Sequence, residues 1–193
     1  MQAIFLDTET TGLDPVAHRL LEIAFKIIDI PSGREKATYQ AIVKQPLPIW
    51  EKRDLASIEI NGFTWEKVQS GKEESLVREE IIEIFNDSTV CRKTSVYICQ
   101  NPAFDRNFFA QVIDVYTQEK FHWPYHWLDL ASMYWALETK AYQEARKPFP
   151  SEMNLSKNAI AEQFHLPIES IPHSALNGVN HLLQCYQKVI GFY

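Results

Sequence analysis

Asp7 and Glu9 stand two positions apart in the stretch IFLDTETTGL, residues 4–13, directly after the apolar residues 3–6. Residues two apart on a strand share a face. If the strand continues through Glu9, the two carboxylates crowd together and raise one another's pKa unless a cation sits between them. Hard oxygen ligands at this density suit Mg²⁺ or Mn²⁺. Two such ions ~3.5–4 Å apart stabilise the attacking and leaving oxygens of phosphodiester hydrolysis. The spacing alone is equally that of a solvated strand end. The next residues, Thr10, Thr11 and Gly12, form a turn whose backbone N–H groups are expected to be free for a phosphate or a base edge, or simply an ordinary polar turn. Leu13 projects from it as an apolar wedge.

The elements that must position these residues can be read from periodicity. Residues 2–7 are apolar on both alternating faces, the pattern of a central strand covered on both sides. Residues 19–30 alternate: Leu21, Ile23, Phe25 and Ile27 share one face, and Glu22 and Lys26 share the other. Residues 37–44 are a third strand, antiparallel to the second across the turn PSGREK. Residues 45–72 are loop and short helix. Residues 74–85 are a helix with the stripe Val77, Ile81, Ile84 and Phe85. Residues 95–100 are a strand. Residues 101–116 are a helix, with Asn101 at its N-cap and Pro102 at its first position. A short strand at 126–130 leads into a helix over 131–142. After a solvated loop, helices are expected over 155–166 and 173–192, the last with a stripe of Leu176, Val179, Leu183, Tyr186 and Ile190. The expected fold class is α/β: a mixed five-stranded sheet in a three-layer sandwich, flanked by helices, as one domain over 1–193. Asp7, Asn101 and Asp129 all fall at or just beyond carboxyl ends of strands, where such sheets carry their sites.

With these segments in order, the sequence resembles the DEDDh 3′–5′ exonucleases of the ribonuclease-H-like fold, a family that includes proofreading subunits and oligoribonucleases. FLDTETTGL followed by HRLLEIA resembles the first exonuclease motif. INGFTWE resembles the family's Ile-His-Gly-Ile-Thr segment. CQNPAFDRNFF resembles the second motif, WLDL its Asp-Thr step, and PHSALNGVNHLLQCY the third motif. The resemblance implies a two-metal hydrolase of single-stranded DNA or short RNA that releases nucleoside monophosphates from the 3′ end. Asp7, Glu9 and Asp105 would hold Mg²⁺ or Mn²⁺, and His173 would be the general base on the attacking water. Asp129 would be a supporting residue. Thr10, Thr11, Gly12, Leu13, Asn61, Asn101 and Phe104 would contact substrate. Plainer roles exist: Asp105 is a first-turn acid favoured by the helix dipole, Asn101 a cap, and His173 a helix-entry residue.

The chain departs from the pattern at one telling place. The family's fourth acid is expected five residues after His173, where Gly178 stands. Its neighbours Asn177, Val179 and Asn180 carry no charge, so one metal site is expected to be weakened. Gly inside a helix costs about 1 kcal/mol relative to Ala, and no packing or capping role is expected for it. Three accounts stay open: weak or Mn²⁺-dependent activity, a pseudo-exonuclease that binds 3′ ends without cutting, or an acid replaced in this copy. Asn61 and Gln100 also stand where the family has His.

Other features carry less. FHWPYHW, residues 121–127, could stack bases but reads better as core packing before Asp129. His18 and Arg19 could meet a phosphate or lie in a surface loop; so could Arg146 and Lys147. His122, His126 and His165 show no ligand spacing. The net charge of -6 argues against a broad basic surface for nucleic acid, though not against an acidic cleft that works through cations. Cys91, Cys99 and Cys185 read as reduced thiols, mostly core. With no signal-peptide pattern and no apolar run near the ~20 residues of a membrane span, a cytoplasmic location without membrane contact is expected. A DNA polymerase is one partner the resemblance allows. No tail suited to tethering one is expected after the last helix, so stand-alone repair or RNA trimming fits equally.

Overall fold

In the computed structural model, which describes residues 1–192, the chain begins with strand β1 (Gln2–Thr10), followed by β2 (Leu20–Asp29) and β3 (Arg34–Ile42). Three short helices come next: α1 (Leu47–Glu51), α2 (Leu55–Asn61) and α3 (Trp65–Gln69). Then come α4 (Glu74–Asp87), β4 (Ser95–Cys99), α5 (Pro102–Val112), α6 (Val115–Lys120) and β5 (Trp127–Asp129). The chain closes with α7 (Leu130–Glu144), α8 (Lys157–Gln163) and α9 (Ala175–Val189). The strands form one mixed five-stranded sheet of order β3-β2-β1-β4-β5, with β1, β4 and β5 parallel and β2 antiparallel to both β1 and β3.

The two alternating faces of β1 enter different cores, as its apolar pattern requires. Ile4 and Leu6 pack with Phe25, Val77, Ile81, Phe85, Phe108 and Trp123 beneath α4 and α5. Ala3 and Phe5 pack with Leu130, Ile160, Val179, Leu182 and Cys185 beneath α7, α8 and α9. The aromatics of residues 121–127 are largely structural: Trp123 is buried, and Trp127 stacks on Tyr97 with centroids 4.0 Å apart. Cys99 and Cys185 are buried free thiols, and Cys91 is partly exposed.

Three expectations need correction. The helix expected over 101–116 stops at Val112, and a second helix, α6, starts afresh where Asp114 accepts bonds from the backbone N–H groups of Tyr116 and Thr117. The second strand has no solvated face: Glu22 is buried, because α9 covers the side on which it lies. The buried stripe of α9 is also turned from the expected one. Ala175, Gly178, Val179, Leu182, Cys185 and Tyr186 face the sheet, while Ile190 is largely exposed and Leu176 and Leu183 lie at the margin. Ala175 and Gly178 join larger residues on the inner face, and at Gly178 the helix backbone comes close to β1.

Phe85 joins the rings of Phe25, Tyr97 and Trp123 at centroid distances of 5.1, 6.3 and 4.6 Å. Phe85→Ala is expected to destabilise the fold by about 3–5 kcal/mol, measured by urea unfolding.

Candidate functional site

β1 runs as strand through Thr10, so Asp7 and Glu9 do share a face, and that face is the one covered by α9. The ladder with β2 shifts register between Glu9 and Thr10, which re-aims the strand end. Thr8 points to the other face. Its hydroxyl donates a 2.7 Å hydrogen bond to the carboxylate of Asp105, in the first turn of α5, across 97 positions of sequence. Parallel pairing of β4 with β1 delivers Asp105 to the carboxyl end of β1. The three acids of the first two motifs are thus brought to one end of the sheet.

Their electrostatics are those of a crowded, largely buried acidic cluster. Burial raises the Asp7 carboxyl to about 6, with Glu169 and Glu22 adding to the shift and Lys157 opposing it. Burial and then the charge of Asp7 push Glu9 to about 8. Burial and Asp7 likewise raise Asp105 well above the usual range. Glu9 also faces Glu22 directly across the β1–β2 ladder, an unfavourable pairing of like charges.

One cation answers these acids. The Lys157 ammonium lies 3.8 Å from Asp7 Oδ1 and 2.9 Å from Glu169 Oε2, and donates to the Gly178 carbonyl at 3.3 Å. Its side chain is only 11% exposed. Burial alone would lower its pKa, but Asp7 and Glu169 hold it above the ordinary value. Burial would raise Glu169, yet His181 and Lys157 bring it down to about 2. His181 Nδ1 is 3.9 Å from Glu169, and Cys185 and Glu169 together raise the imidazole to about 9.

Gly178 has a packing reason after all. A Cβ at this position would overlap the Asp7 carboxylate, with Cγ 2.6 Å away. The approach of α9 is fixed at its start. Glu22 accepts the Ala175 N–H at 3.0 Å, and the Ser174 side chain accepts the Asn177 N–H.

The remaining expected site residues divide sharply. Leu13 projects into solvent, 71% exposed, as a wedge would. Asn101 is exposed in the left-handed region (φ 55°) and makes no side-chain cap. Instead its N–H donates to Asp129, which also caps α7. Phe104 is half-buried beside Phe108. The Thr10–Gly12 turn does not offer free donors as expected. The Thr11 N–H is taken by the Arg19 carbonyl, both threonines are buried, and the Thr10 hydroxyl donates to the Gly12 carbonyl. Asn61 is buried too, donating to the Thr10 carbonyl and accepting from Phe63 N–H; it braces the turn rather than facing substrate. His18 lies under the same turn, where its ring fills the space of a Cβ on Gly12. His173 is half-exposed at the entry to α9, its N–H donating to the Ile60 carbonyl.

The donor set falls short of the two-ion site that the resemblance implies. Asp7, Glu9 and Asp105 supply carboxylate oxygens in a site short of positive charge, but Asp7 already faces an ammonium and residue 178 supplies no ligand. Among the described residues, no three His, Cys, Asp or Glu side chains form a group that could hold a metal as they stand.

The exonuclease family model, RNase T, matches residues 4–184. The chain belongs to that family. This exonuclease domain is 30% identical over 108 residues to the PolC-type DNA polymerase III of Mycoplasmopsis pulmonis, a stretch that is 56% of the chain and 7% of that polymerase. Its fold is that of solved exonucleases. It superposes on the nuclease domain of 3′hExo, a DEDDh family member bound to rAMP, with TM-score 0.71 at 13% identity, covering 100% of this chain and 94% of that one. Escherichia coli exonuclease I in complex with a dT13 oligonucleotide gives 0.72 at 17% identity, over 97% of this domain and 40% of that chain. The cell-death related nuclease CRN-4 gives 0.71 at 14% identity, over 98% and 63%. No described helix is long and apolar enough to cross a membrane.

Lys157, Glu169 and His181 are the parts of the site that sequence reasoning missed. One signal was available for Lys157: it is the first residue of a helix, where a cation opposes the helix dipole unless an anion holds it.

His181, raised to about 9 from 6.5, stabilises the fold fully below pH 6.5, and this contribution is lost as pH rises through about 9. His181→Gln is therefore expected to flatten the fall in Tm across that window, read by thermal melts in chelator.

Proposed function

We propose that this exonuclease domain takes the 3′ end of single-stranded DNA or short RNA into the cleft at the carboxyl ends of β1 and β4 and removes nucleotides from it as monophosphates. The observation that carries this reading is the convergence of Asp7, Glu9 and Asp105 on one end of the sheet from motifs far apart in sequence. A Mg²⁺ or Mn²⁺ ion held by these carboxylates would neutralise the phosphodiester and acidify its bound water. The chain's own residues supply the rest. His173, at the rim of the site, accepts a proton on its imidazole from the attacking water. Leu13 separates the terminal base from its neighbour, and Asn101 meets the sugar or phosphate of the end being trimmed. Asp129 holds Asn101 in its left-handed conformation and acts only through it.

A second reading is favoured by one observation, the ammonium of Lys157 beside Asp7. It weakens the metal site and leaves a cleft that holds 3′ ends without cutting them. For either reading, the polymerase among the relatives makes a DNA polymerase the first protein partner to test.

The test is a digestion of matched 3′-extended DNA and RNA oligonucleotides, labelled at the 5′ end, in Mn²⁺. The proposal expects a ladder shortening from the 3′ end, with Asp105→Asn lowering the rate by about a hundredfold or more. Binding without shortening establishes the second reading, and neither binding nor shortening overturns both.

A further inference from the structure

The structure assigns to Lys157 the place of a divalent cation: its fixed ammonium stands against Asp7 where residue 178 supplies no carboxylate, and it bars a second metal ion from the cleft. The inference rests on the reading of Asp7 as a cation ligand given above. It goes beyond that reading by naming the residue that limits how many ions the site can take.

Three observations converge. First, the ammonium donates to the carbonyl of Gly178 itself at 3.3 Å and pairs with Glu169 Oε2 at 2.9 Å and Asp7 Oδ1 at 3.8 Å, so the cation is tied to the very residue that lacks the acid. Second, the other oxygen of Asp7 lies where a side chain on residue 178 would begin. Neither oxygen is left facing an open ion position on the α9 side. Third, the charges agree. A carboxylate at 178 with a divalent ion beside it sums to one positive charge, and glycine with a lysine ammonium sums to the same. The charge that residue 178 and its cation together set beside Asp7 is thus the same, while the ion and its ligand are both dispensed with. Glu169, almost wholly covered, anchors the ammonium from the far side, and His181 Nδ1 lies 3.9 Å from the same carboxylate oxygen. Lysine suits the role because its ammonium is a compact point charge on a flexible stem, able to reach the cleft from the first turn of α8.

Mn²⁺ titration of the intact chain tests the assignment, followed by the electron paramagnetic resonance signal of the free ion and by the rise in Tm on metal addition. Lys157→Gln keeps a hydrogen-bonding side chain without the charge, and Lys157→Arg keeps the charge. The wild-type protein is expected to bind no more than one Mn²⁺. Lys157→Gln is expected to bind Mn²⁺ roughly tenfold more tightly or to take up an additional ion, since an opposing unit charge a few ångströms from Asp7 has been removed. Lys157→Arg should behave as wild type. Two ions bound by the wild type, or a folded Lys157→Gln variant with unchanged Mn²⁺ binding, would overturn the assignment. Should Lys157→Gln fail to fold, the wild-type ion count decides alone: one or none supports the assignment, two refutes it. The oligonucleotide digestion is read separately, so a chain that binds a single ion yet leaves every strand intact loses the nuclease reading while Lys157 keeps its role.

Discussion

Helix α9 can lie against β1 at this depth only because residue 178 has no side chain. The Asp7 carboxylate occupies the volume a Cβ would need at that point of the buried face of α9. Glu22 reinforces the approach from the second strand by accepting the first N–H of the helix. From this one close contact follow the burial of Asp7, the rise in its pKa, and the position of the Gly178 carbonyl that receives Lys157. The helix cost of glycine, about 1 kcal/mol, is small beside what the contact organises.

The second constraint is the cost of keeping charge out of water. Buried carboxylates persist only when paired or hydrogen-bonded. Asp105 accepts from Thr8 and Glu22 from Gln40 and the Ala175 N–H, while Glu169 is paired with Lys157 through Oε2 alone. Glu9, without an opposite charge at hand, is raised to about 8 by burial and by the charge of Asp7. Breaking a buried ion pair by deleting one partner typically costs about 3–5 kcal/mol. Lys157 is therefore a structural element of the fold as much as a feature of the cleft. A site that holds its own cation can remain folded and closed without metal, which a bare cluster of carboxylates cannot do cheaply.

Much of this was legible in the sequence. The both-sided apolar pattern of residues 2–7 placed β1 in the middle of the sheet, and two-residue spacing placed Asp7 and Glu9 on one face. Motif order brought Asp105 to the same end. What was hidden depended on helix approach rather than on pattern. The stripe read for α9 held Val179 and Tyr186, which are buried, but included Leu176, Leu183 and Ile190 and passed over Ala175 and Gly178, where the helix comes nearest to β1. The threonines looked available because a turn can leave its backbone N–H groups free, and Asn61 because the resemblance sets that position beside substrate. In the fold their hydrogen bonds are consumed in bracing the turn after β1. Glu22, alternating with apolar neighbours, looked solvated because nothing in β2 announces that a helix more than a hundred residues later covers that face.

The account stands on Asp7 being shared between a fixed ammonium and at most one metal ion. A crystal structure of the protein grown with Mn²⁺ and a short oligonucleotide tests this most directly. It should show no more than a single Mn²⁺ among Asp7, Glu9 and Asp105, with the Lys157 ammonium still seated between Asp7, Glu169 and the Gly178 carbonyl. Two manganese ions on Asp7 with Lys157 turned out to solvent would contradict it.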